Sequence, residues 1–185
     1  MKQLDTEEVV KQRFPEAVAL VVSKDTEGKV NLCPVGFFSL MAWKPKVWAI
    51  GLYESHYSTK VIGDTNEFVL CLPAMEQVKD VLYAGSVHGW HIDKTKQTHL
   101  TFLQSTHVAP PLIDGAIACF ECKVVQKHIV FDHTVFFGEV VASHRDTKTW
   151  HDKIYNWDDT RLGTMQYGDL SVDIPYSPEG SVKKT

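Results

Sequence analysis

The chain has 185 residues, a formal net charge of −4, and is 44% hydrophobic and 23% charged. This length suits one domain that buries a real core, and we expect a single domain over residues 1–185. The acidic balance gives no electrostatic reason to expect a nucleic-acid partner. The N-terminal stretch lacks an apolar signal-peptide run, and no uncharged segment suits a membrane span. Four cysteines without an export signal favour a cytoplasmic protein with reduced thiols.

The first third of the chain predicts a short helix followed by antiparallel strands. Asp5 and Glu8 have the spacing of a capping box, which opens a helix that runs to Arg13. Three apolar runs separated by turn-forming residues then predict consecutive antiparallel strands. These are residues 17–23, a run that starts at residue 30, and residues 47–53.

The rest of the chain predicts more strands than helices. A short helix is expected at 59–66, a strand at 68–73, and a second helix at 74–85 that ends at Gly85. Residues 86–114 are irregular in pattern, and two long strand-like runs, 115–128 and 131–144, are spaced to pair as a hairpin. The tail from residue 146 is predicted to be loop-like, with one helical turn near Trp150. Many strands and few short helices favour a small antiparallel barrel.

The cysteines and histidines suggest metal ligands, but their spacing is weak. C-F-E-C at 119–122 lies in a predicted strand, where residues three apart point to opposite faces, so we expect two packed thiols. H-G-W-H at 88–91 and His99 could bind zinc, yet no carboxylate or cysteine nearby has a recognisable ligand spacing. We therefore predict no metal site and interpret this segment as a solvated polar loop. Motifs for a dinucleotide fold, a P-loop and a hydrolase nucleophile are absent.

The most apolar run, N-L-C-P-V-G-F-F-S-L-M-A-W at 31–43, contains residues that interrupt a strand. Proline cannot donate to a ladder of hydrogen bonds, so this run is expected to be an edge strand or a broken one. Glycine lets a ligand approach the backbone closely. Asn31 offers both a donor and an acceptor from its side chain. The run therefore has the properties of a ligand-binding segment.

Taken together, six segments resemble the flavin reductase-like, FMN-binding split-barrel family, its flavoredoxin-type members most closely. They occur in order between residues 18 and 141. They are N-x-x-P-x-G-x-F-S at 31–39, S-H-Y-S-T-K-V-I-G-D-T-N-E-F at 55–68, G-S-V-H-G-W-H-I-D-K at 85–94, P-P-L-I-D at 110–114, E-C-K-V at 121–124 and D-H-T-V-F-F-G-E-V at 132–140. The resemblance implies a mainly β fold: an antiparallel, Greek-key split β-barrel with a few short helices.

The resemblance also implies which residues bind FMN. Asn31 is expected at the ring or ribityl chain, and the backbone and side chains of Val35, Gly36, Phe37, Phe38 and Ser39 near the isoalloxazine. Ser58 and Thr59, at a predicted helix N-terminus, suit the phosphate, because free N–H groups and the helix dipole attract an anion. Ser55 and Ser86 are weaker candidates for the same end.

Three further residues follow from the same resemblance. Lys94 is expected close to the flavin, where a cation stabilises the negative charge of the reduced ring or binds the phosphate. His133 is expected near the ring and the nicotinamide, as the catalytic residue that orients the hydride donor or passes a proton. Tyr167 corresponds to an aromatic residue of the C-terminal tail that covers the flavin.

The function that the resemblance implies is transfer of a hydride from NADH or NADPH to flavin. The expected assembly is a homodimer that binds FMN noncovalently at the subunit interface, and a redox protein is a further candidate partner. Two alternatives stay open: a flavoredoxin-type electron carrier whose FMN is reduced by a protein donor, and a metal-binding β-barrel module. The sequence does not distinguish NADH from NADPH, nor does it identify the final electron acceptor.

Overall fold

The helices of this chain are few and short. The computed structural model describes residues 3–145, 153–158, 161–166 and 169–175. Within them lie α1 (Thr6–Val10), α2 (Tyr57–Thr65) and α3 (Val78–Ser86), with single 3-10 turns at Lys11–Arg13, Met75–Gln77 and Lys94–Lys96. In this part of the chain, no helix combines the length and the apolar character that crossing a membrane requires.

Strands form most of the described chain, which confirms the predicted mainly β class. They are β1 (Glu16–Ala17), β2 (Ala19–Lys24), β3 (Val30–Val35), β4 (Phe38–Trp43), β5 (Lys46–Tyr53), β6 (Glu67–Leu72), β7 (Phe102–Leu103), β8 (Leu112–Ile113), β9 (Ala118–Val130), β10 (His133–Arg145), β11 (Lys153–Asp158), β12 (Arg161–Gln166) and β13 (Asp169–Pro175). The predicted hairpin of two long strands is present as β9 and β10, which pair antiparallel.

The principal sheet has seven antiparallel strands in the order β3-β2-β6-β9-β10-β5-β4. Its two edge strands, β3 and β4, are consecutive in sequence and are separated only by Gly36 and Phe37. This two-residue connection joins the two edges, and beside it the amide of Gly51 in β5 donates to the carbonyl of Phe37 at 2.8 Å. The run 31–43 is thus both broken and at an edge, as its proline predicted.

The core forms on both faces of this sheet, because neighbouring residues of a strand point in opposite directions. On one face, Leu20 and Leu32 pack with Val81 of α3. On the other, Val21 and Cys33 pack with Ile62 of α2. The C-F-E-C segment divides in the same way, since Cys119 belongs to the first cluster and Cys122 to the second, as predicted.

Helix α2 begins earlier than the sequence predicted. It starts at Tyr57 rather than at residue 59, and its N-cap is His56, which makes no side-chain capping bond. Ser58 and Thr59 therefore lie in the first turn of the helix instead of capping it. Serine and threonine are common N-caps, but here the extended residue before the helix is His56.

The prediction of a loop-like tail was wrong. Strands β11, β12 and β13 follow one another with two residues between them, which is the spacing of tight hairpins. With β1 they form a second sheet in the order β1-β11-β12-β13, in which Glu16 lies opposite Asn156. Pairing with a strand some 140 positions earlier is a long-range contact that the polar sequence of the tail does not reveal. The turn predicted near Trp150 lies outside the described residues.

Candidate functional site

A small polar pocket of about 80 Å³ lies at the β3 edge of the principal sheet. Its walls are β3, the first turn of α2, the C-terminal end of α3 and the loop that leads to Lys94. Asn31, Ser58 and Lys94, three residues that the sequence analysis selected, line it together, and Cys33, His56 and Gly89 complete its polar part. The fold thus gathers residues from four separate segments.

Asn31 is 2% exposed and points from β3 toward α2. Its Nδ2 donates to Oγ of Ser58 at 2.7 Å. Its Oδ1 is buried and accepts no hydrogen bond among the described residues. Leaving a buried acceptor unsatisfied costs about 1–3 kcal/mol, so Asn31 is held in the pocket at the expense of stability. Such a group suits a ligand that brings a donor.

Lys94 is 5% exposed, and its ammonium group is held by backbone carbonyls. Nζ donates to the carbonyl of Leu32 in β3 at 2.8 Å and to that of Ala84 in α3 at 2.5 Å. The second bond places a cation at the C-terminal end of a helix, where the dipole favours it. Burial lowers the pKa of Lys94, and the neighbouring Cys33 thiol opposes that shift. An ammonium group has three protons, so one remains for a ligand in the pocket.

His56 and Cys33 form the side of the pocket that the sequence analysis did not identify. Nδ1 of His56 lies 3.7 Å from Sγ of Cys33. Burial lowers the pKa of His56, and Lys94, His88 and His133 add to that effect, which favours a neutral imidazole. Burial raises the pKa of the Cys33 thiol, while Lys94 partly offsets it. The buried ammonium of Lys94 is therefore the positive charge that the pocket offers.

An aromatic patch adjoins the pocket through His56. The His56 ring lies against Tyr53, with centroids 5.5 Å apart, and Tyr53 lies against His133 at 4.0 Å. Phe37, which is 53% exposed, completes the patch with its ring 5.5 Å from that of His133. Nδ1 of His133 is 2.8 Å from Oδ1 of Asp132, which fixes the orientation of the imidazole. Pocket and patch together offer polar groups beside a flat aromatic surface.

Other residues selected from the sequence lie outside the pocket and the patch. Thr59 donates to the carbonyl of Tyr53 at 2.6 Å and lines a separate cleft on the other side of α2. Ser86 donates back to the carbonyl of Tyr83 at 2.9 Å, and Ser55 is exposed. The structure does not bring these three hydroxyls together with Asn31.

The residues around the break between β3 and β4 have mixed roles. Val35 is buried in the core, and Phe38 packs against Trp48 with ring centroids 5.9 Å apart. Ser39 is exposed on β4, and a methyl group at Gly36 would meet the Glu16 side chain. Phe37 is thus the member of this segment that presents a ring to the patch. Tyr167 lies outside the described residues.

One feature of the sequence could have revealed one of the residues that were missed. Cys33 is two positions after Asn31 in a strand, so it faces the same side. Tyr53 ends β5 directly opposite His133 in the antiparallel register, a pairing visible only in the structure. In the histidine-rich segment, His88 lines the pocket, and the exposed His99 ring pairs with Asp80 at 3.4 Å. Among the described residues, no group of three or more metal-ligating side chains comes together.

Comparison with known proteins agrees with this architecture. Residues 11–164 match the model of the flavin reductase-like domain, so the chain belongs to that family. An uncharacterised protein of Archaeoglobus fulgidus is 31% identical over 134 residues, which cover 72% of this chain and 75% of that protein. The family assignment confirms the resemblance inferred from the six segments.

Solved structures share the fold across nearly the whole chain. An FMN-binding protein from Thermus thermophilus has a TM-score of 0.81 at 19% identity, covering 93% of this chain and 100% of that one. Flavoredoxin from Methanosarcina acetivorans has a TM-score of 0.76 at 22% identity, covering 93% and 94%. The NADH:FAD oxidoreductase of Streptomyces globisporus has a TM-score of 0.75 at 18% identity, covering 91% and 99%. The predicted split-barrel class is confirmed.

Proposed function

We propose that this protein is an FMN-binding oxidoreductase that takes electrons from NADH or NADPH. The observation that carries the proposal is the pocket formed by Asn31, Ser58 and Lys94, in which a buried acceptor lacks a partner and a buried ammonium keeps one proton unused. Membership of the flavin reductase-like family supports the same function. The similar structures described as FMN-binding and as an NADH:FAD oxidoreductase support the cofactor and the donor.

The residues of the pocket fit the polar edge of a flavin. A flavin presents an N–H donor, carbonyl acceptors and ribityl hydroxyl groups, and FMN adds a phosphate. The unsatisfied Oδ1 of Asn31 suits an N–H or a hydroxyl donor. The ammonium of Lys94 suits a carbonyl or a phosphate oxygen. The neighbouring rings of Phe37, Tyr53 and His133 offer a surface for the flat ring system.

Flavin held at this site supplies the redox chemistry, since it accepts a hydride from reduced nicotinamide. The residues of the chain contribute position and charge. Lys94 places a positive charge beside the site, which favours the negative charge that reduction adds. His133 shares its Nδ1 proton with Asp132, which leaves Nε2 to orient a ligand on the patch.

The first test is the absorption spectrum of purified protein before and after incubation with FMN and desalting. Retained flavin bands followed by oxidation of NADH or NADPH in proportion to protein would support the function. A His133→Asn variant should keep its flavin but reduce it more slowly. Protein that retains no flavin under any condition would rule the function out.

A flavoredoxin-type electron carrier is the second candidate, favoured by the similarity to the Methanosarcina acetivorans flavoredoxin. The same sample distinguishes the two. In a carrier, NADH and NADPH leave the bound flavin oxidised, whereas a low-potential protein donor bleaches it. In a nicotinamide-dependent reductase, either nucleotide bleaches the flavin without a protein donor.

We also propose that the protein is a homodimer. The tip of the β9–β10 hairpin supports this, because Ile129 is 74% exposed and Phe131 is 98% exposed. Large apolar side chains that project together from a surface mark sites of association. Light scattering should give twice the mass of the chain, and Phe131→Asn, which suits the positive φ of 55° at that position, should shift the protein toward monomer. A monomeric wild-type protein at micromolar concentration would contradict the proposal.

A further inference from the structure

The histidine-rich segment, which the proposed function leaves without a role, crosses the mouth of the pocket. We name residues 87–91 the strap. The strap turns back on itself at His88, whose carbonyl accepts from the amide of His91 at 3.2 Å. Two side-chain hydrogen bonds attach it to other parts of the chain: Nζ of Lys29 donates to the carbonyl of Gly89 at 2.6 Å, and Nε1 of the strap's own Trp90 donates to the carbonyl of Ser55 at 2.9 Å. The strap is therefore attached at two points.

Aromatic contacts strengthen one of these attachments. The Trp90 ring meets that of Tyr57 edge to face, with centroids 4.9 Å apart. Nζ of Lys29 also lies 4.6 Å from the centre of the Tyr57 ring, and the Tyr57 hydroxyl donates to Asp25 at 2.6 Å. Tyr57 thus joins both attachments of the strap to the start of α2. Trp90 is 46% exposed, whereas the hydrogen bonds of Lys29 and Tyr57 are partly buried.

The strap covers the part of the pocket that is chemically unsatisfied. Gly89 packs so closely on the Asn31 side chain that an added methyl group would overlap Oδ1 and lie 2.8 Å from Cγ. The closed strap therefore keeps water and ligand away from an acceptor that has no partner. Movement of the strap would expose Oδ1 and allow it to form a hydrogen bond. The contacts of Lys29 and Trp90 oppose that movement.

The volume of the pocket leads to the same conclusion. Pockets for small organic ligands measure roughly 300–1,000 Å³, whereas this one measures about 80 Å³. A flavin cannot reach Asn31 while the strap is closed. Since β3, α2 and α3 are packed into the two cores, the strap is the wall that can move with the fewest lost contacts.

We propose that the strap is a gate over the flavin pocket, closed by the bonds of Lys29 and Trp90, which must swing away before FMN can bind to Asn31. This inference rests on the proposed flavin function and adds a step that controls when FMN can bind. Weakening either attachment raises the fraction of open molecules, so FMN should associate faster.

The test is the rate of FMN association, followed by the quenching of flavin fluorescence on rapid mixing with full-length protein. Trp90→Phe keeps the ring but removes the bond to Ser55, and Lys29→Met removes the bond to Gly89. Losing one such hydrogen bond should raise the association rate about two- to tenfold. The matched controls are Trp43→Phe and Lys79→Met, at exposed positions away from the pocket, which should bind at the wild-type rate. Amide exchange without flavin should rise at residues 88–91 in the two strap variants only.

The measured rates distinguish failure of the gate from failure of the proposed function. Faster association and faster exchange in both strap variants support the gate. Binding of FMN at one common rate in all five proteins would overturn the gate and leave the proposed function intact, because the ring would then enter by the open aromatic patch. Failure of every protein to bind FMN would overturn the proposed function and the gate together.

Discussion

Gly89→Ala probes the contact between the strap and Asn31 most directly. The backbone of Gly89 does not adopt a left-handed φ, so alanine fits the backbone and the cost is steric. The added methyl group would overlap Oδ1 of Asn31 and lie 3.2 Å from Nδ2, which itself bonds to Ser58. Either the strap lifts or the bond to Ser58 breaks. Overpacking of this kind costs about 1–3 kcal/mol, and we expect Gly89→Ala to lower the free energy of unfolding by that amount.

The assay is a double-mutant cycle with Asn31→Ala, measured by urea unfolding. Removing the Asn31 amide makes room for the methyl group, so Gly89→Ala should cost little in that background. The two changes should therefore show a coupling of about 1 kcal/mol or more. Strictly additive costs would show that Gly89 and Asn31 do not compete for the same space, and the gate would lose its steric basis.

Two further predictions concern buried charges. The carboxylate of Glu121 is fully buried; burial alone would raise its pKa from 4.5, but bonds from Thr106, His107 and His144 lower it to about 2. The ionised carboxylate therefore contributes about 3 kcal/mol of stability above pH 4.5, and this contribution disappears as the pH falls through 2. Glu121→Gln should lose this stability, and its free energy of unfolding should depend less on pH in acid. The exposed Glu76→Gln should show neither effect. Lys94→Met should raise the dissociation constant for FMN at least tenfold relative to Lys79→Met, because hydrogen bonds to a charged group contribute about 1.5–3 kcal/mol. Equal affinities of the two variants would show that Lys94 caps a helix and does not bind the flavin.

The sequence predicted those parts of the fold that depend on local pattern. Because strand residues three apart point to opposite faces, the sequence predicted that Cys119 and Cys122 would diverge, and they lie in different core clusters. Pro34 and Gly36 predicted the break at the sheet edge. The tail was predicted wrongly: β11, β12 and β13 pair with one another in hairpins, and β11 also pairs with β1 across most of the chain.

The site, like the fold, could be predicted from the sequence only in part. The resemblance assigned Asn31, Ser58 and Lys94 to different parts of one bound flavin, and in the structure they line one pocket. It also assigned Thr59 to the phosphate, which stays a prediction; adjacent helix residues point about 100° apart, and Thr59 lines the cleft on the other side of α2. A motif identifies a segment, whereas the direction of each side chain depends on where the helix begins, here two residues earlier than predicted.

The strap shows why the state of a site cannot be inferred from its motif. Asn31 and Gly89 both lie in segments that resemble the family, yet nothing in either segment indicates that one presses on the other. Their contact depends on the half-buried Lys29 and the exposed Trp90, both outside the predicted cofactor-binding set. Surface contacts of this strength are small compared with the core, so they can favour closure without preventing opening. The residues that bind a ligand and the residues that admit it are therefore different, and only the folded chain identifies the second group.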